Sequence, residues 1–331
     1  MTSSSTSSSE PIDDAPTSAT SLGSRVDDSA ISVLIGVIIC ILVAALRPDV
    51  PAARNPEWYW MMKLDRDEPV AMVIGGDSRV YRGIDPTTIG ERLGESVFNA
   101  GFSSAKYRRE YLAYLRRLVS EDPGAIVIGL SPFSFGSREM TGFEQAVEMN
   151  RRRRLPIRMI RAFDQIPRGF AAIDPGVLLG RDPVMPSDED YRQVFHDSGW
   201  VESDRPDAHQ VDAWKTSIRK VADDYPTDPA QIDELMAAVA EWHAEGIEVF
   251  AFTTPVEEEI LRFELDLFDI SLESTRARFE AAGGVWLDLD SESDLRWYDV
   301  SHLDGDSAQR FSLRLAEAIL ASRLTAGASL E

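Results

Sequence analysis

The sequence is poor in cysteine, histidine and positive charge. Cys40 is the single cysteine among 331 residues, which excludes an intrachain disulfide and makes redox chemistry a poor expectation. Lysine and arginine number 34 against 56 aspartates and glutamates, a net charge of −22 at pH 7. Nucleic-acid binding needs a basic face that displaces phosphate counterions, so no nucleic-acid partner is expected. The acidic residues are spread along the chain, which indicates a solvated surface.

The amino-terminal region consists of two segments. The first has few large apolar side chains, and the second has no charged residue. Residues 1–29 are rich in Ser, Thr, Asp and Pro and predict a disordered tail, because they bury too little surface to offset chain entropy. Residues 30–46 read AISVLIGVIICILVAAL, near the lower length limit for crossing a hydrocarbon layer about 30 Å thick. An acidic tail does not resemble the basic start of a cleaved signal peptide, so we expect an uncleaved single-pass membrane anchor. A core helix is disfavoured because every face is apolar.

Residues 47–69 are predicted to be a juxtamembrane linker. They contain Trp58, Tyr59 and Trp60, which are typical of a lipid interface. The flanking positive charges, counted by the positive-inside rule, weakly favour a cytoplasmic position for the domain beyond the linker.

A regular alternation of apolar runs and amphipathic segments extends over residues 70–325. Strands are expected at 70–74, 96–99, 125–130, 247–253 and 285–287, and helices at 86–93, 107–119, from Pro229 to Gly246, 257–282 and 307–324. This rhythm predicts an α/β three-layer sandwich with a parallel five-stranded sheet covered on both faces. A proline-rich stretch at about 135–225, with a basic run at Arg151 to Arg154, predicts a helical insertion or lid.

The first candidate for chemistry is a serine that follows the first strand. In the segment VIGGDSRVYRGIDP, Ser78 stands on a glycine-rich turn, next to Asp77. A turn at a strand end exposes the serine side chain and lets its own N–H face a developing oxyanion. The alternative is a serine that caps a helix.

The second candidate lies before the last helix, in the segment WYDVSHLDGDSAQRF. Asp299 comes three residues before His302, so one loop can present an imidazole together with the carboxylate that fixes its tautomer. Of the other histidines, His243 falls in a predicted helix, and His196 and His209 fall in the insertion.

The two segments together resemble the SGNH (GDSL-like) hydrolases, which carry a GDS block after the first strand and a DxxH block before the last helix. The resemblance covers roughly residues 70–324. It implies that Ser78 is the nucleophile, His302 the general base and acid, and Asp299 its partner. It also implies an oxyanion or substrate-binding role for Asp77, Asn99 and Ser104, the last standing where the family has a glycine.

The chain departs from the family after the third strand. The family places an asparagine side chain there as an oxyanion donor, whereas this chain reads IVIGLSPFSF. The donor is therefore missing or replaced by Ser131 or Ser134. A layout with an anchor ahead of the domain also resembles the D-alanyl transfer and polysaccharide O-acetylation proteins, which work with membrane-bound O-acyltransferases and face outward. We follow that resemblance for an extracytoplasmic domain.

Three functions remain open at this point. The first is an esterase or O-acyltransferase that acts on acyl groups of a carbohydrate or envelope polymer through an acyl-Ser78 intermediate, without a cofactor. The second is an inactive module that binds a glycan or an acyltransferase partner. The third is metal-assisted phosphoester hydrolysis by Asp77, Asp299 and His302, which would want more ligands close by.

Overall fold

The computed structural model describes residues 31–39, 56–120, 124–137, 140–151, 191–205, 210–289 and 294–328. The chain separates into two units, and the smaller one, Met1–Pro48 with Ala162–Ile173, is described only at 31–39. Those residues are helical with exposed side chains. Within the described ranges no helix is long and apolar enough to cross a membrane. The predicted tail lies outside the described residues, as do residues 40–46 of the predicted anchor.

The larger unit is built on a parallel sheet of five strands, as the sequence predicts. Its strands are β1 Met72–Gly76, β2 Val97–Asn99, β3 Ala125–Leu130, β6 Glu248–Thr253 and β7 Val285–Trp286. They lie in the order β2-β1-β3-β6-β7, and every neighbouring pair is parallel. The order reverses direction at β1 and β3, the place where such sheets open a crevice beyond their carboxyl ends.

Helices connect these strands, several of them with the capping residues that the sequence offers. They are α1 Pro56–Leu64, α2 Ser78–Gly83, α3 Pro86–Leu93, α4 Arg109–Leu118, α5 at 142–151, α6 Val211–Asp224, α7 Pro229–Ala244, α8 Glu258–Phe268, α9 Leu272–Ala281 and α10 Gly305–Ala328. Asp85 and Asp228 cap α3 and α7, each followed by a proline in the first turn.

Alternate strand residues enter two separate apolar clusters, one on each face of the sheet. Val73 and Ile128 pack with side chains of α4 and α7, such as Leu115. Ile74 and Val127 pack on the opposite face with side chains of α3 and α10. An α/β architecture with helices on both faces is thereby established, and it is consistent with a three-layer sandwich.

The single helix predicted for residues 257–282 is wrong. Asp269 adopts a left-handed conformation with φ of 51°, and α8 ends there. The side chain of Ser271 then accepts a hydrogen bond from the backbone of Ser274 and starts α9. A helix-stopping conformation followed by a new cap outweighs the continuous amphipathic pattern.

The insertion at about 135–225 is not purely helical, which corrects the prediction of a helical insertion. It contains α5 and α6, but also two antiparallel strands, β4 Arg192–Phe195 and β5 Val201–Asp204. The tip of this hairpin docks on the sheet, where the backbone N–H of Asn99 donates to the carbonyl of Ser198 at 2.9 Å. Gly199 is required there, because a Cβ atom would lie 2.0 Å from the carbonyl oxygen of Asn99. Residues 152–190 and 206–209 lie outside the described part.

Part of the predicted linker belongs to the folded body. Tyr59 of α1 is 4% exposed and packs with Phe195 of the hairpin. Lys63, also buried, donates to the backbone carbonyl of Gly199 at 2.7 Å. Tyr59 therefore contacts protein where the sequence predicted a lipid interface, and α1 ties the hairpin to the sheet.

Candidate active site

The turn that carries Ser78 is held from several directions. Strand β1 is buried along its whole length, and Asp77 caps α2 by accepting a hydrogen bond from the backbone N–H of Arg79 at 2.9 Å. Ser78 is the first residue of that helix. The turn also depends on Gly76, because a Cβ atom at that position would lie 2.2 Å from Cγ2 of Val80. The nucleophile candidate thus sits on a rigid strand-to-helix junction.

The loop that carries His302 is fixed by its own backbone. One carboxylate oxygen of Asp299, Oδ1, accepts the backbone N–H groups of Ser301 and His302, both at 2.8 Å. The N–H of Tyr298 donates to the carbonyl of His302 at 3.0 Å, and the indole of Trp297 donates to the carbonyl of Pro255 at 3.1 Å. The loop therefore presents the imidazole in one orientation.

The structure brings Ser78, His302 and Asp299 into one hydrogen-bonded chain. Nε2 of His302 lies 2.9 Å from the hydroxyl oxygen of Ser78. Nδ1 of the same ring lies 2.8 Å from Oδ2 of Asp299. These are the distances that a base needs to remove the serine proton and that a carboxylate needs to hold the ring tautomer. The first two residues are 224 positions apart in the sequence.

The charges of this chain suit a neutral imidazole beside an ionised carboxylate. Burial lowers the pKa of His302 below its ordinary value, Arg82 and Arg79 lower it further, and Asp299 opposes the shift. Burial alone would raise the pKa of Asp299, but the hydrogen bond with His302 and the two backbone N–H groups outweigh it and hold that pKa at about 2. At neutral pH His302 is therefore able to accept a proton.

Asp77 and Ser131 meet, but in a contact that occupies both of them. The hydroxyl of Ser131 donates to Oδ2 of Asp77, and the hydroxyl of Ser134 reaches the same oxygen at 3.2 Å. All three side chains are buried. The hydrogen of Ser131 is thus engaged with a carboxylate, so this residue does not present a free donor at the carboxyl end of β3.

Asn99 is likewise committed to the backbone. Its amide nitrogen donates to the carbonyls of Val80 and Ile84 at 2.8 and 2.9 Å, and its Oδ1 accepts from the N–H of Gly101 at 3.0 Å. Asn99 has no exposed surface, and its side chain holds the end of α2. Ser104 stands in a left-handed turn with φ of 52°, which explains why a glycine would suit the position.

The backbone N–H of Ser78 is a candidate oxyanion donor. The hydrogen bonds of the described residues include none from this group. It belongs to the first turn of α2, where backbone N–H groups have no partner within the helix.

Sequence reasoning missed two neighbours of this chain of side chains. The ring of Tyr298 stacks on the imidazole of His302, with centroids 5.8 Å apart and planes at 14°. The guanidinium of Arg82 donates to the hydroxyl of Tyr298. Tyr298 directly precedes Asp299, and Arg82 follows Ser78 by four positions, so their spacing was the available signal.

A buried ion pair lies on the other side of α2. Arg79 and Glu264 of α8 are 6% and 0% exposed and form two hydrogen bonds, one of them 2.8 Å long between Nη1 and Oε2. The charge of Arg79 is therefore compensated inside the protein.

Neither the family models nor the curated proteins compared with this chain give a match. Within the described ranges there is also no group of three or more His, Cys, Asp or Glu side chains that could hold a metal ion.

Proposed function

We propose that this protein is an SGNH-like serine hydrolase or O-acyltransferase that works through an ester of Ser78. The observation that carries the proposal is the hydrogen-bonded chain from Ser78 to His302 to Asp299, with distances of 2.9 and 2.8 Å. A parallel α/β sheet that presents the serine after its first strand supports it as well, although a fold alone implies no function.

The first half of the reaction forms the acyl-enzyme. His302 takes the proton of Ser78 as the hydroxyl oxygen attacks the carbonyl carbon of the ester. The negative charge that develops on the carbonyl oxygen is bound by the N–H of Ser78. As the carbon–oxygen bond to the alcohol breaks, the imidazolium of His302 protonates the departing oxygen, and Asp299 stabilises the cationic ring throughout.

The second half of the reaction moves the acyl group to water or to another hydroxyl. His302 deprotonates the acceptor, the acceptor attacks the acyl carbon, and Ser78 leaves with the returned proton. Because the side chains of Asn99 and Ser131 are engaged elsewhere, the oxyanion is bound by fewer donors than in the family pattern. Loss of one such donor costs about 10² to 10³ in rate, so turnover with water should be slow. A sugar hydroxyl held beside the ester would compete through its high effective concentration.

The proposed substrate is an acylated carbohydrate or envelope polymer outside the cytoplasm. This part of the proposal rests on the apolar segment at residues 30–46 and on the resemblance to membrane-tethered acylation proteins. A membrane-bound O-acyltransferase is the corresponding proposed partner. A catalytically inactive module that binds the same glycan is the alternative, and the committed side chains of Asn99 and Ser131 favour it.

Labelling of the intact protein with a fluorophosphonate separates these functions. Such a probe reacts with an activated serine, and mass spectrometry should locate it on Ser78. Ser78→Ala protein is the control. The absence of labelling in a correctly folded protein would leave the binding module.

The choice between hydrolysis and transfer needs a second measurement. The protein is supplied with an acetyl donor, with and without candidate glycan acceptors, and both free acetate and acetylated glycan are followed. We expect slow release of acetate and faster formation of the acetylated glycan. Rapid acetate release that no acceptor changes would leave a plain esterase.

A further inference from the structure

One arginine stands beside the nucleophile with no acidic partner among the described residues. Arg82 follows Ser78 by four positions in α2, so the two side chains leave the same face of the helix with Cβ atoms about 6 Å apart. Arg82 is half-buried. The carbonyl of Arg82 accepts the indole N–H of Trp200 at 2.7 Å, which fixes this end of the helix against the hairpin.

The guanidinium of Arg82 is oriented by neutral hydroxyl groups. Nε donates to the hydroxyl of Tyr81 at 3.0 Å, and Nη1 donates to the hydroxyls of Tyr298 and Ser203, the latter at 3.3 Å. The described residues offer no acceptor to Nη2 and no carboxylate at ion-pair distance. The fork of the guanidinium is thus held in place while one of its ends stays free.

The neighbouring arginine shows how unusual this is within α2. Arg79, three positions earlier, is neutralised by Glu264. The chain as a whole carries 56 acidic residues against 34 basic ones, so carboxylates that could pair with an arginine outnumber the basic residues. A half-buried arginine that lacks one is favourably placed to receive the negative charge of a ligand.

Aromatic rings frame the free end and connect it to the base. The ring of Tyr191 lies 5.6 Å from the guanidinium of Arg82, and its centroid lies 5.9 Å from that of Tyr298. Tyr298 in turn stacks on His302. A ligand group bound at Arg82 would therefore be separated from the imidazole of His302 only by the ring of Tyr298.

We propose that Arg82, with Tyr191 and Tyr298, binds an anionic group of the substrate, a carboxylate or a phosphate, next to the ester that Ser78 attacks. The identity of the substrate in this inference rests on the proposed function. The binding of an anion at Arg82 is independent of that function, because it needs no chemistry at Ser78.

Binding is tested first, on full-length Ser78→Ala protein, which cannot turn over an ester. Monomethyl succinate carries a carboxylate and a methyl ester, dimethyl succinate has the same shape without the charge, and inorganic phosphate is the third probe. We expect the charged ester to bind about 10-fold to 100-fold more tightly than the neutral one, the range of a hydrogen bond to a charged group. The added substitution Arg82→Gln should remove that difference. Equal affinity for both esters, together with no binding of phosphate, would overturn the inference whatever the catalytic activity is.

The two anion sources are separated by the same titration. Tighter binding of monomethyl succinate than of phosphate indicates a carboxylate ligand, and the reverse indicates a phosphate. Either result supports an anion site at Arg82, provided that Arg82→Gln weakens it.

Selectivity is then measured on the reactive protein with two activated esters, 4-nitrophenyl hydrogen succinate and 4-nitrophenyl methyl succinate. We expect the ratio of their kcat/KM values, charged over neutral, to fall at least about 10-fold in Arg82→Gln and to be largely kept in Arg82→Lys. Arg262→Gln, at an exposed arginine paired with Glu258, is the matched control. A merely structural role for Arg82 would lower both rates together and leave the ratio unchanged. Hydrolysis of neither ester, with anion binding intact, would count against the proposed function and not against the anion site.

Discussion

Two neighbouring parts of the site use their polar side chains in opposite ways. Ser78 and His302 direct theirs at each other, at 2.9 Å, and stay partly accessible at the carboxyl end of β1. Beyond β3, the hydroxyls of Ser131 and Ser134 turn inward to the buried carboxylate of Asp77. The groups that would activate a nucleophile are thus in position, whereas the groups that would bind an oxyanion through side chains are used to hold the turn.

In the proposed function, activation of the serine and binding of the oxyanion are therefore separate tasks of the site. Activation of a serine depends on the distances between three side chains, and all three are present. Oxyanion binding can be left to a backbone N–H, at a cost in rate. The proposed transfer to an acceptor that is held in place rests on this difference.

The largest loss of activity is expected when Ser78 or His302 is removed, because the contrast between the two parts of the site depends on their contact. Ser78→Ala and His302→Ala should each lower esterase activity by about 10⁴-fold or more and abolish fluorophosphonate labelling, because either change removes the nucleophile or its base. Melting temperatures should stay close to that of the unchanged protein. His243→Ala, at an exposed histidine of α7, is the control. Full activity in Ser78→Ala would show that another residue carries the chemistry.

A somewhat smaller loss is expected from Asp299→Asn. The base remains, but the ring tautomer is no longer fixed and the imidazolium loses its counter-charge, so kcat should fall. The kcat of Asp299→Asn should remain about 10- to 100-fold higher than that of His302→Ala. The measurement is steady-state hydrolysis of an activated ester alongside thermal unfolding. A parallel loss of activity and stability would instead mark Asp299 as a structural residue of the 298–302 loop.

The substitution Ser131→Ala tests whether the hydroxyl beyond β3 serves stability or the reaction. Because its hydroxyl serves Asp77, we expect a loss of about 1 kcal/mol in the free energy of unfolding and a rate change below about 10-fold. Ser312→Ala removes another buried, hydrogen-bonded serine, on α10, and is the matched control. A rate loss of about 10² to 10³ with unchanged stability would identify Ser131 as an oxyanion donor after all.

The smallest effect is a displacement of the pH profile. His302 must be neutral to act as a base, and burial keeps its pKa below the ordinary value. Activity, measured as kcat/KM, should therefore survive as the pH falls to about 6.5 and disappear below it. In Asp299→Asn the midpoint should move lower still, since the carboxylate that stabilises the imidazolium is gone. A midpoint above about 7 would mean that the ring is more solvated or more strongly paired than the geometry indicates.

Features fixed by local sequence were predicted well. Strand Ala125–Leu130 and helix Pro86–Leu93 have the predicted bounds, because an apolar run, an aspartate cap and a proline are neighbours in the chain. The break at Asp269 was not predicted, since the helical pattern continues through it. The hairpin in the insertion was also missed, because its strands are short and depend on the sheet and α1 for their packing.

The same distinction holds within the site. The pairing of Asp299 with His302 follows from a spacing of three residues, and the structure brings Ser78 to them as the parallel sheet required. The roles of Asn99 and Ser131 could not be predicted, because they depend on partners that only the tertiary fold brings into contact. For Ser131 the partner is Asp77, 54 positions away.

The separation of 224 residues between Ser78 and His302 has a consequence for biosynthesis. A chain leaving the ribosome carries Ser78 well before it carries His302, which follows 224 residues later. Closing so long a loop also carries an entropic cost that has to be offset before this contact can form. Under the proposed function, a truncated or half-folded chain would hold an unactivated serine, and reactivity towards esters would report that synthesis has passed residue 302 and that the sheet has closed.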